Sequence, residues 1–289
     1  MRLAIVGFGL IGGSIARAVR DGPGRAAIES IAAWSPSGRG PAAALADGAI
    51  DRASSSLAGA VDAAELIVLA ADPLACLGLL DELARLPVVG EPPTITDVAS
   101  TKALLLGRAD QLGLHYVGGH PMAGLEAAGY ASARADLFLG RPWVLCPGAL
   151  ARPIDLERAE QLLAACRAER QWLGAAEHDR AVAAISHLPL VVAAALVESV
   201  SAAQDWPLAE GLAAGGWLSA TRLALGDVTM GAGIAATNAQ ELARRVHSLR
   251  TQLDDWLTDL EGTPDDPAAT AERIRARLSV AKRTLEAAE

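Results

Sequence analysis

Cysteine, lysine and aromatic residues are all scarce in this sequence. The three cysteines, Cys76, Cys146 and Cys166, are far apart and odd in number. That fits neither a disulfide framework nor a metal site, and it points to a reducing, cytoplasmic compartment. Two phenylalanines, two tyrosines and six tryptophans in 289 residues offer no platform for stacking bases. The net charge is −9 and no run of Lys or Arg interrupts it, so nucleic acid is excluded as a partner.

Long uncharged apolar runs are missing too. The N-terminal "MRLAIVGFGLIGGS" has only four apolar residues before its glycines and no cleavage pattern, so it is not read as a signal sequence. The longest apolar stretch, 181–200, carries Ser186, His187, Pro189 and Glu198. A bilayer centre penalises such groups, so the stretch reads as a buried helix of a soluble protein and no membrane is expected.

What is present is a core-forming composition, 52% apolar, in two unlike halves. In the first, "RLAIVG", "IESIAAW", "ELIVLA", "TITDV", "HYVGG" and "PWVLCP" alternate with helical segments. That rhythm predicts a Rossmann-type α/β domain, a doubly wound and mostly parallel sheet, over 1–150. From 151 to 289 strand-like runs nearly vanish, predicting an all-α domain for substrate binding and dimerisation. Its helix over 181–204 is apolar on nearly all faces and must be buried, most easily between two copies. A window over 235–260 is amphipathic, and the last segment reads as a solvent-facing helix.

Gly7, Gly9 and Gly12 spell GxGxxG between the strand "RLAIV" and a helical window, with Phe8, Leu10 and Ile11 between them. The first glycine permits a tight turn, the second lets backbone approach a pyrophosphate, and the third lets helix and strand pack closely. This is a dinucleotide site. The second strand ends "AAWSPSGRG" with no acid to hold a ribose 2′-hydroxyl. Ser35, Ser37 and Arg39 stand there instead, which favours the 2′-phosphate of NADP, with NAD as the alternative. Ala70 and Asp97, at the ends of later strands, complete the expected cofactor contacts.

Three patches follow strands or start helices. In "TDVASTK", Ser100 and Thr101 either cap a helix or touch the nicotinamide, and Lys102, one of two lysines, has no assigned role. In "GGHPMAGLE", His120 sits on a stiff turn between two glycines and Pro121, a setting suited to general base work on a hydroxyl. In "EHDRAVAAISHLP", His178 and Asp179 open a helix, and His187 is either a core histidine at the proline or part of a site.

Together, "GFGLIGGS", "DVASTK", "GGHPMAG" with Glu126 and Gly129, "HDRAVAAISHLP" and "GGWLSATRLA" with Asn238 resemble the TyrA family of prephenate and arogenate dehydrogenases. The resemblance runs from residue 1 to about 260. It implies oxidative decarboxylation in tyrosine biosynthesis, in which hydride leaves the carbon bearing the 4-hydroxyl, carbon dioxide departs and the ring becomes aromatic. It implies His120 as base or acceptor, Ser100 orienting it, and Arg222 on a substrate carboxylate. Glu126, Ser186, His187 and the backbone at Gly215 and Gly216 would line the substrate pocket, with Glu126 a candidate for the substrate ammonium.

The chain departs from the family at Leu190, where "SHLPL" stands for the frequent SHLPH, and at Gly231 in "GDVTMGAG". With the NADP-like loop, this leans to L-arogenate, with prephenate the alternative. No room is expected for a chorismate mutase or regulatory ACT domain. A β-hydroxyacid dehydrogenase is disfavoured, because 103–281 lacks the lysine such enzymes use. A non-catalytic NADP-binding protein would not need both His120 and Arg222.

Overall fold

A computed structural model describes residues 1–22, 26–125, 127–262 and 266–287. Among them one sheet holds β1 (Arg2–Val6), β2 (Ser30–Trp34), β3 (Arg52–Ala53), β4 (Leu66–Leu69), β5 (Thr94–Asp97), β6 (Tyr116–Pro121), β7 (Pro142–Pro147) and β8 (Glu169–Trp172). Their order is β3-β2-β1-β4-β5-β6-β7-β8, and every pairing is parallel except that of β6 with β7. Strand order reverses between β1 and β4, which opens a crevice at their carboxyl ends.

The alternation of side chains loads both faces of this sheet. Leu3 and Ile5 of β1, with Leu66 and Val68 of β4, join one apolar cluster. Ala4 and Val6, with Ile67 and Leu69, join the other. A strand buried on both faces needs a continuous apolar run, and β4 reads LIVL. Helices α1 (Leu10–Asp21), α2 (Arg39–Ala46), α3 (Leu57–Val61), α4 (Pro73–Leu83) and α5 (Ala103–Gln111) cover the faces. Asp72 caps α4 by accepting the Ala75 amide at 3.0 Å, with Pro73 at the first helical position.

The six expected strands are present. The two-residue β3 and the exposed "ERQW" of β8 carry no apolar alternation, so periodicity does not announce them. The sheet continues past residue 150: α6 (Pro153–Ala165) buries Leu162 and Leu163 against it, and β8 pairs parallel with β7.

Helices follow: α7 (Ala175–Val182), α8 (Leu188–Ser201), α9 (Trp206–Gly211), α10 (Gly215–Thr221), α11 (Val228–Thr237), α12 (Ala239–Glu261) and α13 (Pro267–Glu286). The chain divides into two compact units, Met1–Ala239 and Gln240–Glu289. In the second, Arg273 and Arg277 of α13 bond to Asp259 of α12, and the Asp266 carboxylate caps α13. As expected for a solvent-facing helix, α13 buries no residue.

Within the unit Met1–Ala239, little of the burial expected of 181–204 is present. Ala193 is the one buried residue recorded in α8, and Ile185 is 70% exposed. The continuous helical run Ala175–Ser201 is long and apolar enough to cross a membrane by length and composition alone. An exposed apolar surface of that kind marks an interaction face.

Candidate active site

The glycine turn lies at the β1/β4 crevice. Gly7 has φ +88°, its amide donates to the Trp34 carbonyl at 2.9 Å, and a Cβ there would collide with the Ala70 carbonyl. Ala70 thus shapes the turn through its backbone. A Cβ on Gly12 would collide with the Gly7 carbonyl and approach Ile5, so the third glycine lets α1 close onto β1. A Cβ on Gly9 would meet nothing within 4 Å, which leaves open space where α1 begins. Backbone donors, a helix N-terminus and that space fit a dinucleotide pyrophosphate. Phe8 turns inward, its ring 5.6 Å from that of Tyr130, while Leu10 and Ile11 open the helix.

The turn after β2 closes with the Gly38 amide donating to the Ser35 carbonyl at 3.0 Å, with Gly38 at φ +64°. Ser37 and Arg39 are exposed, and the Ser37 hydroxyl accepts the Arg39 amide at 3.4 Å.

At the end of β6, His120 Nδ1 lies 2.8 Å from His178 Nε2, and His178 Nδ1 lies 2.8 Å from Asp179 Oδ1. The Asp179 carboxylate also accepts the amides of Lys102 and Ala103, each at 2.8 Å, so it caps α5 from another helix. Burial works to raise this carboxyl, but the His178 bond and the two amides outweigh it and hold it below its ordinary value. A carboxylate only accepts, and that assigns the protons along the chain. With His178 neutral, its Nδ1 carries the proton, its Nε2 accepts from His120 Nδ1–H, and His120 Nε2 keeps a lone pair. Burial first, then the Lys102 ammonium and the neighbouring His178 and His187 imidazoles, pushes His120 well below the ordinary histidine value. At neutral pH it is an acceptor.

A π-helical turn, Ala183–His187, interrupts the helix before Pro189, which has no amide proton for a regular α ladder. The turn buries His187, 1% exposed, and leaves Ser186 exposed. Asn238 Nδ2 donates to the Asp179 carbonyl at 2.8 Å and faces His187 Nδ1 at 3.2 Å. His187 Nε2 faces the Ser100 backbone without completing a hydrogen bond. Thr101 and Thr237 hydroxyls meet at 2.8 Å, tying the loop after β5 to α11.

The family profile described as prephenate dehydrogenase, nucleotide-binding domain, matches residues 16–171. That described as prephenate dehydrogenase, dimerization domain, matches 174–266. The chain belongs to the prephenate dehydrogenase family. It is 35% identical over 266 residues to a prephenate dehydrogenase of Bacillus subtilis (strain 168), covering 90% of this chain and 68% of that one. The crystal structure of Synechocystis arogenate dehydrogenase superposes with a TM-score of 0.77 at 29% identity, covering 98% of this chain and all of that one. The fold is also that of Aquifex aeolicus prephenate dehydrogenase in complex with hydroxyphenyl propionate and NAD+, with a TM-score of 0.85, 23% identity and coverage of 99% and 98%.

As a member of the prephenate dehydrogenase family, the chain is an NAD(P)-dependent oxidoreductase with prephenate/arogenate dehydrogenase activity in tyrosine biosynthesis. The β-hydroxyacid dehydrogenase alternative and the non-catalytic one fall away. The two profiles meet between 171 and 174, where β8 ends the sheet and α7 begins.

The structure gathers His120, His178, Asp179, His187 and Asn238 around the loop of Ser100 and Lys102. Arg222, at the start of a 3-10 turn packed on α8, and Gly215 and Gly216 on α10 are exposed. Glu126 lies outside the described residues. Asp97, expected beside the cofactor, is 0% exposed, and its carboxylate is taken up by Lys102, Tyr116 and the amides of Ala99 and Gly119. Its acidic group closes a core network instead. His187, expected to line the pocket, has its ring turned inward by the π turn. Sequence reading named His178 and Asp179 without a role. Their one signal was an adjacent His-Asp pair opening a helix.

Proposed function

We propose that this enzyme converts L-arogenate to L-tyrosine with NADP+, with His120 accepting the proton of the 4-hydroxyl. The observation that carries this reading is the Asp179–His178–His120 chain, which presents His120 Nε2 as a fixed acceptor. The nicotinamide, when bound, takes the hydride from the carbon bearing that hydroxyl. His120 then holds the proton while carbon dioxide leaves, and returns it to the phenolate as the ring becomes aromatic. Ser100 orients His120 and contacts the cofactor, Arg222 binds a substrate carboxylate, and Ser186, Gly215 and Gly216 line the pocket. Gly7, Gly9 and Gly12 with Phe8, Leu10, Ile11 and Ala70 form the pyrophosphate turn, and Ser35, Ser37 and Arg39 take the 2′-phosphate.

The preference for arogenate rests on Leu190, an apolar side chain packed near Gly231, in place of the frequent histidine. The prephenate reading is favoured by the name of the Bacillus subtilis relative. Absorbance of reduced nicotinamide, followed with each substrate and each cofactor, separates the readings. Faster reduction of NADP+ by arogenate supports the proposal, and a higher kcat/KM for prephenate or NAD+ reverses that part of it.

The assembly proposed is a homodimer in the cytoplasm, formed through the helical half. Ile185, Leu218, Leu225 and Val228 are exposed apolar side chains within the segment matched by the dimerization profile. A second copy would cover the surface that a single chain leaves open.

A further inference from the structure

Lys102 is among the largest fully buried side chains of the protein. Its ammonium pairs with Asp97 and donates to the Gly119 carbonyl at 2.6 Å. Asp97 in turn accepts the Gly119 amide at 3.3 Å, so the pair holds both backbone polar groups of the residue before His120. At its other end, the Lys102 amide donates to Asp179, the carboxylate that closes the histidine chain. One residue therefore touches the supports of His120 from two directions.

The strand is built around this lysine. A Cβ on Gly118 would stand 2.7 Å from Leu106 Cδ1 and 3.0 Å from Lys102 Cδ. One on Gly119 would stand 3.0 Å from Trp143 Nε1 and collide with the Asp97 carbonyl. The glycines that precede His120 leave room for the lysine stem and for β5. A buried ion pair is a poor source of stability, because desolvation offsets its attraction and an apolar pair of similar volume does as well. Its value here lies in what it orients.

We propose that Lys102 is a positioning residue of the oxidation, fixing the place of His120 through the Gly119 backbone on one side and the Asp179 carboxylate on the other. The inference rests on the reading of His120 as the proton acceptor. The ionisable groups around His120 are Asp97 at the end of β5, Lys102 at the start of α5, Tyr116 on β6, His178 and Asp179 on α7, and His187 on the π turn. Of these, Lys102 is the cation whose buried charge opposes protonation of His120 most directly.

The test uses the full chain carrying Lys102→Met, with Lys102→Met/Asp97→Asn as the neutral-core variant in case the unpaired carboxylate prevents folding. Expected are a fall in kcat of about 10- to 100-fold, as for a reacting group displaced by about 1 Å, and movement of the acidic limb of kcat/KM to higher pH. Cofactor affinity, read by direct binding, stays at the wild-type value. A folded variant whose acidic limb and kcat coincide with the wild type overturns the proposal. Failure of both variants to fold overturns it as well, since the pair then serves folding. His120→Asn runs in parallel: if it retains turnover, the reading of His120 has failed. If it loses turnover while the Lys102 variants keep their limb, only the role of Lys102 has failed.

Discussion

His120 Nδ1 and His178 Nε2 stand 2.8 Å apart, joining the end of β6 to α7 across 58 residues of sequence. Because Asp179 holds the far nitrogen of His178, this contact determines which nitrogen of His120 is free to accept a proton.

His120→Asn removes that acceptor. Turnover is expected to fall by about 10²- to 10⁴-fold, the usual contribution of a positioned base, with cofactor affinity unchanged. Steady-state kinetics and a cofactor titration check both halves of the statement, and wild-type turnover would take His120 out of the chemistry.

Asp179→Asn offers an amide proton to His178 and reverses both tautomers, so His120 Nε2 becomes a donor. A wrong tautomer alone costs on the order of 10⁴-fold in the serine protease triad, and a fall in kcat of about 10²-fold or more is expected here. KM should change little. A kcat within a few-fold of wild type would show that the tautomer is set elsewhere.

Stability should fall with acidification through His187. Burial lowers its value to about 4 in the folded chain, against about 6.5 when unfolded. The unfolded chain therefore takes up a proton that the native one refuses. The stabilisation is fully present above about 6.5 and is lost as pH falls toward the folded value, a span of about 3 kcal/mol. Thermal melts of wild type and His187→Gln over that window check it, since the variant should show a shallower decline.

Arg39→Ala should raise the KM for NADP+ by about 10-fold or more, the scale of one charge-assisted hydrogen bond, and leave that for NAD+ unchanged. Equal effects on both cofactors would remove the 2′-phosphate from the role of the "SPSGR" loop.

Arg222→Gln should raise the substrate KM by about 10- to 100-fold on the same scale, with kcat less affected. Unchanged kinetics would end its role as the carboxylate clamp.

Much of the fold was legible because its signals are local. β1 and β4 are apolar runs followed by turns, and the three glycines carry their backbone requirements in their spacing. β8 escaped because an exposed edge strand has no apolar alternation. The place of Asp97 at a strand end is visible in sequence, but the lysine and tyrosine that take up its carboxylate are not. His187 carries two open readings in sequence, and the π turn before Pro189 that buries its ring is not visible there.

By itself the sequence determined the Rossmann layer, the dinucleotide turn, the missing acid after β2 and the catalytic candidacy of His120. Each of these is a matter of residue type and neighbour spacing, which sequence records directly. Only the tertiary structure decided that His178 and Asp179 stand behind His120, that Lys102 clamps both ends of that arrangement, and that the apolar helical run after Ala175 buries little of its surface within the unit Met1–Ala239. Those are contacts between elements distant along the chain. Their geometry is set by packing, and no local pattern of residues encodes it.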